Sequence, residues 1–453
     1  MSNAPHPVFA LPEWLPHLGG LATFYLHLAR CRSELGLPTT VLTTQKEAVD
    51  PDWPHVKVVK LADQRYAHFI RYCQWLPKDW EVTAMSLAAG TAMRDWLRAN
   101  TPDNAVVFAA EFLGYASLLC GKDLPPLVVT AHGSMGQISA RSQGGMQSPD
   151  APFLRMLESD ALLRADLTTA YSPLNASEWS TTLGRNIPCI DPPFFPYQEL
   201  DTNIDKTEGG PVRGIVVGRL QDWKGALTLA HALELMSTDE RAQLQIDWFG
   251  GDTQTAPGGG SLAQWLKKQH PNVFGNTFQW HGTIPREQVL ERQAEADFAL
   301  IPSMWDTLNF TALEAMSAGT PIAISTGAGA SYLVENGVTG LTFPADNPQA
   351  LADTLSRVIS CSSQLPSMGE QAKASLTRLF SPKACLERYD KAATQALAAR
   401  QRPNTGLRLD SAGGCVLPLI ESMMQADQLP RRSSRELLSA LTQKFSQRLG
   451  LDG

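Results

Sequence analysis

Cysteine is scarce and unpatterned. The seven cysteines, Cys31, Cys73, Cys120, Cys189, Cys361, Cys385 and Cys415, are odd in number, scattered and never spaced as CxxC. That excludes a disulfide framework and a zinc ribbon and fits a reducing cytoplasm. Long apolar runs are missing too: none approaches the roughly 20 residues that cross a bilayer. The opening MSNAPHPVFALPEW lacks the charged and apolar regions of a signal peptide, so a soluble chain is expected, with at most a peripheral contact to a membrane surface. An excess of basic residues is also lacking. Thirty-eight Lys and Arg stand against 45 Asp and Glu, a net charge of −7, so nucleic acid is not an expected partner. Nothing repeats at the period of a solenoid.

What is present is alternation of short apolar strands with amphipathic helices, the pattern of a parallel α/β sheet. The first half offers strands at Pro7–Leu11, Thr39–Thr43, Val56–Val59, Ala105–Ala109, Leu127–Ala131 and Leu167–Ala170, with helices at Leu21–Leu35, Met85–Ala99, Leu113–Leu119 and Phe153–Arg164. A Pro-rich turn at Asp191–Pro193 and the polar stretch Glu199–Pro211 read as a linker. The alternation then restarts at Gly214–Val217 and runs to Pro348–Ile359. At 453 residues the chain suits two domains of about 100–200 residues each. The expected division is 1–195, 210–395 and a helical extension 401–453, with helices near Val416–Ala426 and Ser434–Leu449. The apolar stripe of the last helix suits packing on the body or contact with a membrane or partner.

Two segments carry chemistry. In Ile215–Gly225 a strand ends at Gly218, and Arg219 and Lys224 follow, five positions apart, just before a helix. A guanidinium can grip two oxygens and an ammonium supplies a point charge, so the pair suits a diphosphate; a solvated surface loop is the alternative. In Leu300–Pro321 the order is strand, loop, helix, turn, strand, and the helix start presents N–H groups as an anion seat. Asp306 lies in the loop and Glu314 inside the helix, where a carboxylate needs a partner. Sugar hydroxyls would serve, as would capping by Asp306 and a salt bridge to Glu314.

These segments resemble the retaining GT-B glycosyltransferases of family four, the glycosyl transferases group 1. Gly218-Arg219-Leu220 with Lys224-Gly225 matches that family's GRL-x-x-x-KG stretch, and Pro302-Ser303, Glu314-Ala315-Met316 and Gly319-Thr320-Pro321 match its second stretch. Gly337-Val338-Thr339-Gly340-Leu341, Leu18-Gly19-Gly20 and the strand ending in His132-Gly133 match further pieces, and the resemblance covers roughly residues 7–395. It implies two Rossmann-like domains, the first for the acceptor and the second for a nucleotide-diphosphate sugar. Arg219 and Lys224 would hold the diphosphate and Glu314 the ribose. Asn309, Phe310 and Thr311 would offer backbone N–H groups, and Gly19 and Gly20 would let backbone approach the phosphate. His132 would sit over the sugar, or else be a satisfied buried histidine.

Three positions depart from the family pattern. Asp306 replaces the first Glu of the E-x7-E pair, Asn309 the usual Gly, and Tyr332 a frequent Glu. The resemblance implies retention without a metal; Asp50-Pro-Asp52 is a DxD by spelling only, in a Pro-rich loop. No cofactor is expected beyond the donor, and the acceptor would be a carbohydrate, lipid-linked or protein hydroxyl. Glu111 closes a strand and is either an acceptor contact or a carboxylate at a helix start. Trp14, Trp53, Trp75 and Trp80 enrich the N-terminal half and suit sugar rings or a core equally. A nucleotide-sugar epimerase and a non-catalytic partner protein of the same fold are the competing functions.

Overall fold

The computed structural model describes residues 4–16, 19–62, 66–73, 76–141, 149–195 and 210–401. Leu18, Trp75, nearly all of the polar linker and both helices expected beyond 401 lie outside the described residues. The first sheet contains β1 (His6–Leu11), β2 (Thr39–Thr43), β3 (Val56–Lys60), β4 (Ala105–Ala110), β5 (Leu127–Ala131) and β6 (Leu167–Ala170). The second contains β7 (Val212–Val217), β8 (Leu244–Phe249), β9 (Phe278–Gly282), β10 (Phe298–Ile301), β11 (Ile322–Ser325) and β12 (Gly340–Phe343). All pairings within them are parallel. The orders are β3-β2-β1-β4-β5-β6 and β12-β11-β10-β7-β8-β9, so each sheet reverses direction beside its first strand. In such sheets ligands gather beyond the carboxyl ends of the strands at that reversal. In the second sheet the reversal separates β7 from β10, the two strands that lead into the motif loops. The α/β, two-sheet architecture is the one expected.

The chain divides into two compact units. Of the described residues, one takes those within 4–137, 149–170 and 386–401; the other takes those within 138–141 and 171–385. This differs from the expected boundaries at 195 and 395, and side-chain contacts explain why. In the helix Pro382–Gln401, Tyr389 packs on Phe24 and Phe108, Asp390 pairs with Arg32 at 2.9 Å, and Arg400 pairs with Asp166 at 2.6 Å, all in the first unit. Tyr171 and Glu178 instead bond Thr307 and Trp305 of the second.

Strand positions follow hydrophobicity closely, as burial on both faces of a parallel sheet demands. The helices Pro173–Leu183, Leu365–Leu379 and Pro382–Gln401 were not expected. The helix expected at Leu113–Leu119 is a 3-10 segment, Phe112–Leu119, kinked where Leu113 and Gly114 take positive φ of 63° and 76°. Among the described residues no helix is long and apolar enough to cross a membrane.

Candidate active site

The turn after β7 is shaped by what it buries. Leu220, Gln221, Asp222 and Trp223 are all nearly inaccessible. Of the segment Arg219–Lys224, only the two cations at its ends reach outward, Arg219 exposed and Lys224 partly so. Gly225 then has φ +87°, and a Cβ there would lie 2.0 Å from the Pro302 carbonyl oxygen. Only glycine accepts both conditions, and it brings the start of the helix Ala226–Leu235 against the loop after β10. The Met304 N–H donates to the Trp223 carbonyl at 2.8 Å, joining the two motif loops directly.

The loop after β10 is equally constrained. Asp306 N–H donates to Gly327 O and Asp306 O accepts from Gly329 N–H, each at 2.9 Å, so the loop runs as a short parallel bridge to its neighbour. The Trp305 indole N–H meets Glu178 at 3.2 Å, and the Arg141 guanidinium lies 4.5 Å over the indole ring. Held this way, the Asp306 carboxylate pairs with the Lys224 ammonium through Oδ2, which also accepts Asn309 Nδ2–H at 2.8 Å. Asn309 has φ +79°, a conformation open to glycine and, among other residues, most readily to asparagine. That is why Asn can stand here in place of the family's glycine. The helix Phe310–Ala318 begins at Asn309 with no side-chain cap, so Phe310 and Thr311 form its first turn.

Glu314, inside that helix, is 6% exposed and bonds the Arg286 guanidinium at 2.5 Å. Desolvation raises its pKa, opposed by Arg286. Lys224 and Asn309 thus meet at the Asp306 carboxylate, with Phe310 and Thr311 following Asn309 in sequence. Arg286 is a partner that the sequence did not single out: it opens the helix Arg286–Glu295 after a loop and matches none of the motif pieces.

In the first unit, Gly19 precedes the helix Gly20–Glu34 and its carbonyl accepts the Thr23 N–H at 2.9 Å; a Cβ on Gly20 would meet nothing within 4 Å. His132 follows β5, its ring edge-on to Phe24 with centroids 4.6 Å apart and near Tyr25 at 5.6 Å. Desolvation lowers its pKa to about 3, so it is neutral in the ordinary range. Glu111 stands at the start of the segment Phe112–Leu119, the second of its two expected placements, and is buried there. It is 0% exposed, and its carboxylate accepts the N–H groups of His132 at 2.7 Å and Gly133 at 2.8 Å. Glu158, 1% exposed, accepts the N–H groups of Met135 and Leu113, each at 3.0 Å, and Gln137 accepts that of Ser134 at 3.1 Å. Four consecutive N–H groups after β5 are therefore held by buried side chains. Burial raises the Glu111 pKa to about 7 and that of Glu158 to about 8.

Comparison with known proteins accounts for the motifs. The glycosyl transferases group 1 model matches residues 201–375, and the glycosyl transferase 4-like domain model matches residues 19–185. The chain belongs to the family-four GT-B glycosyltransferases.

Among relatives of this glycosyltransferase is the D-inositol 3-phosphate glycosyltransferase of Corynebacterium aurimucosum, 26% identical over 78% of this chain and 86% of that protein. The enzyme of the same name from Corynebacterium efficiens is 26% identical over 54% of this chain but spans only 60% of its own length. Sucrose-phosphate synthase from Thermosynechococcus elongatus shares the fold with a TM-score of 0.64 at 18% identity, covering 87% of this chain and all of that one, 100%. HepE of Anabaena in complex with UDP and glucose follows at 0.56 and 16%, covering 86% and 99%. In this glycosyltransferase Tyr332, at the family's frequent Glu position, is exposed and donates to Asp191 at 2.9 Å.

Proposed function

We propose that the chain moves a sugar from a nucleotide-diphosphate donor to a hydroxyl acceptor, with retention of anomeric configuration and without a metal. The observation that carries this is Lys224 held between the two motif loops beside an uncapped helix start. Together they form a cationic seat for phosphate. Binding of UDP with glucose by HepE, a protein of the same fold, supports the donor class. Arg219 and Lys224 hold the diphosphate, Phe310 and Thr311 add N–H groups from the helix start, and Glu314 accepts the ribose hydroxyls. Gly19 and Gly20 allow close backbone approach.

In the transfer the bond from the anomeric carbon to the phosphate oxygen breaks, and the acceptor oxygen bonds to the same face of the carbon. The departing phosphate oxygen takes the acceptor's proton, so no side chain is required as a dedicated base. The two cations stabilise the charge that grows on the diphosphate. His132, neutral, orients the sugar, and Asp306 meets its hydroxyls. The acceptor is a carbohydrate, lipid-linked or protein hydroxyl, and the protein works in the cytoplasm, with at most a peripheral membrane contact.

The test is turnover of UDP-, GDP-, ADP- and dTDP-sugars in the presence of EDTA. The acceptor panel includes D-inositol 3-phosphate, the compound in the relatives' name, and the product's anomeric proton is read by NMR. Product of unchanged configuration, formed in EDTA, is expected. An inverted product, a requirement for added metal, or release of free sugar without acceptor would each overturn the reading.

A further inference from the structure

A central strand of a parallel sheet is ordinarily apolar on both faces, because helices cover both. β8 breaks this rule on one side. Leu244, Ile246 and Trp248 enter the core of the second unit. The alternate positions Gln245, Asp247 and Phe249 face the other way and line a cavity of about 230 Å³. Part of its floor is apolar: Ile215 of β7 and the Phe249 ring, on which the His281 imidazole of β9 stacks at 4.7 Å and 16°.

Asp247 organises the polar part. It is 7% exposed, with Oδ1 2.7 Å from His281 Nε2. Both its oxygens accept Gln245 Nε2–H at 3.1 Å, and the Arg213 guanidinium of β7 lies 3.9 Å away. Arg292, from the helix Arg286–Glu295, stands on the remaining wall and pairs with Glu295 at 2.9 Å.

A carboxylate so surrounded has little acceptor capacity left, and what the walls offer is donors. The Arg213 and Arg292 side chains are 43% and 53% exposed, so each guanidinium keeps N–H groups for an occupant. Two guanidiniums call for a phosphate, whose oxygens match their fork. The stacked imidazole and phenyl offer a flat face for a small ring beside it. We propose that this cavity binds a small sugar phosphate, the phosphate between Arg213 and Arg292 and the ring on the His281–Phe249 stack. None of its residues belongs to the donor-binding set, so the site stands independently of the proposed reaction.

Isothermal titration of the full chain with ribose 5-phosphate, inorganic phosphate and ribose tests this, each with and without saturating UDP. Ribose 5-phosphate should bind once per chain and more tightly than either fragment, with affinity unchanged by UDP or by Lys224→Ala. The double variant Arg213→Gln/Arg292→Gln should weaken it by about tenfold or more, while keeping the wild-type melting temperature. His281→Ala should reduce ribose 5-phosphate to the affinity of inorganic phosphate. Absence of binding, displacement by UDP, or unchanged affinity in the folded double variant would overturn the proposal.

Discussion

Lys224 and Asp306 hold each other across two loops that are 82 positions apart in sequence. The shared oxygen also takes Asn309 Nδ2–H, so the pair is fixed from a third side. In the proposed reaction a donor diphosphate would draw the ammonium partly away from its carboxylate, and the transition state, with more charge on the leaving oxygens, would draw it further. Lys224→Ala should lower kcat by about 10²–10³-fold with a small change in melting temperature. Asp306→Glu, which restores the family's residue, should keep more activity than Asp306→Ala. Steady-state kinetics with the preferred donor decide both, and a Lys224→Ala enzyme of near-normal kcat would remove the lysine from the mechanism.

Arg286 supports Glu314 in the same way, but from a more exposed position. Its side chain is 34% exposed against 7% for Glu314. Arg286→Ala leaves a buried carboxylate without its counter-charge. The expected loss of stability is about 1–2 kcal/mol, less than for a fully buried pair because water reaches the vacated place. Urea unfolding of the variant measures it, and Arg286→Ala/Glu314→Gln should recover part of the loss.

Glu111 and Glu158 make stability depend on pH. Both folded pKa values are raised by burial, from 4.5 to about 7 and about 8. The folded state therefore binds more protons than the unfolded state between those limits, and stability falls as pH rises. The contribution is fully present below the ordinary carboxylate value and lost as pH climbs through about 7 and about 8. The melting temperature of Glu111→Gln/Glu158→Gln should fall less between about pH 5 and pH 8 than that of the wild type. An unchanged slope would show that neither carboxyl titrates there.

Gly225 and Asn309 set the joint between the two motif loops. Gly225→Ala combines φ +87° with a Cβ 2.0 Å from the Pro302 oxygen, so it should cost about 2 kcal/mol or more and most of the activity. Asn309→Gly keeps the φ of +79° and should be nearly neutral in stability. It removes the second bond to Asp306, so its effect should appear in kcat. Thermal melts paired with kinetics separate the two outcomes. Equal loss of stability in both variants would contradict the geometry.

By itself the sequence determined the alternation of elements and the places of the motif loops. Strands such as Thr39–Thr43, Leu127–Ala131 and Phe298–Ile301 are buried along their whole length, and their apolar and β-branched composition is a local property that records it. Glycine and the short spacing of Arg219, Lys224 and Gly225 are equally local. Side-chain partnerships between remote segments are another matter. That Glu111 turns inward to the N–H groups after β5, that Glu314 meets Arg286, and that the helix end from Leu386 to Gln401 joins the first unit depended on packing between distant stretches. No periodicity along the chain encodes such meetings. A carboxylate at a strand end reads the same whether it faces a ligand or a buried loop, and only the tertiary structure settles which donors it finds.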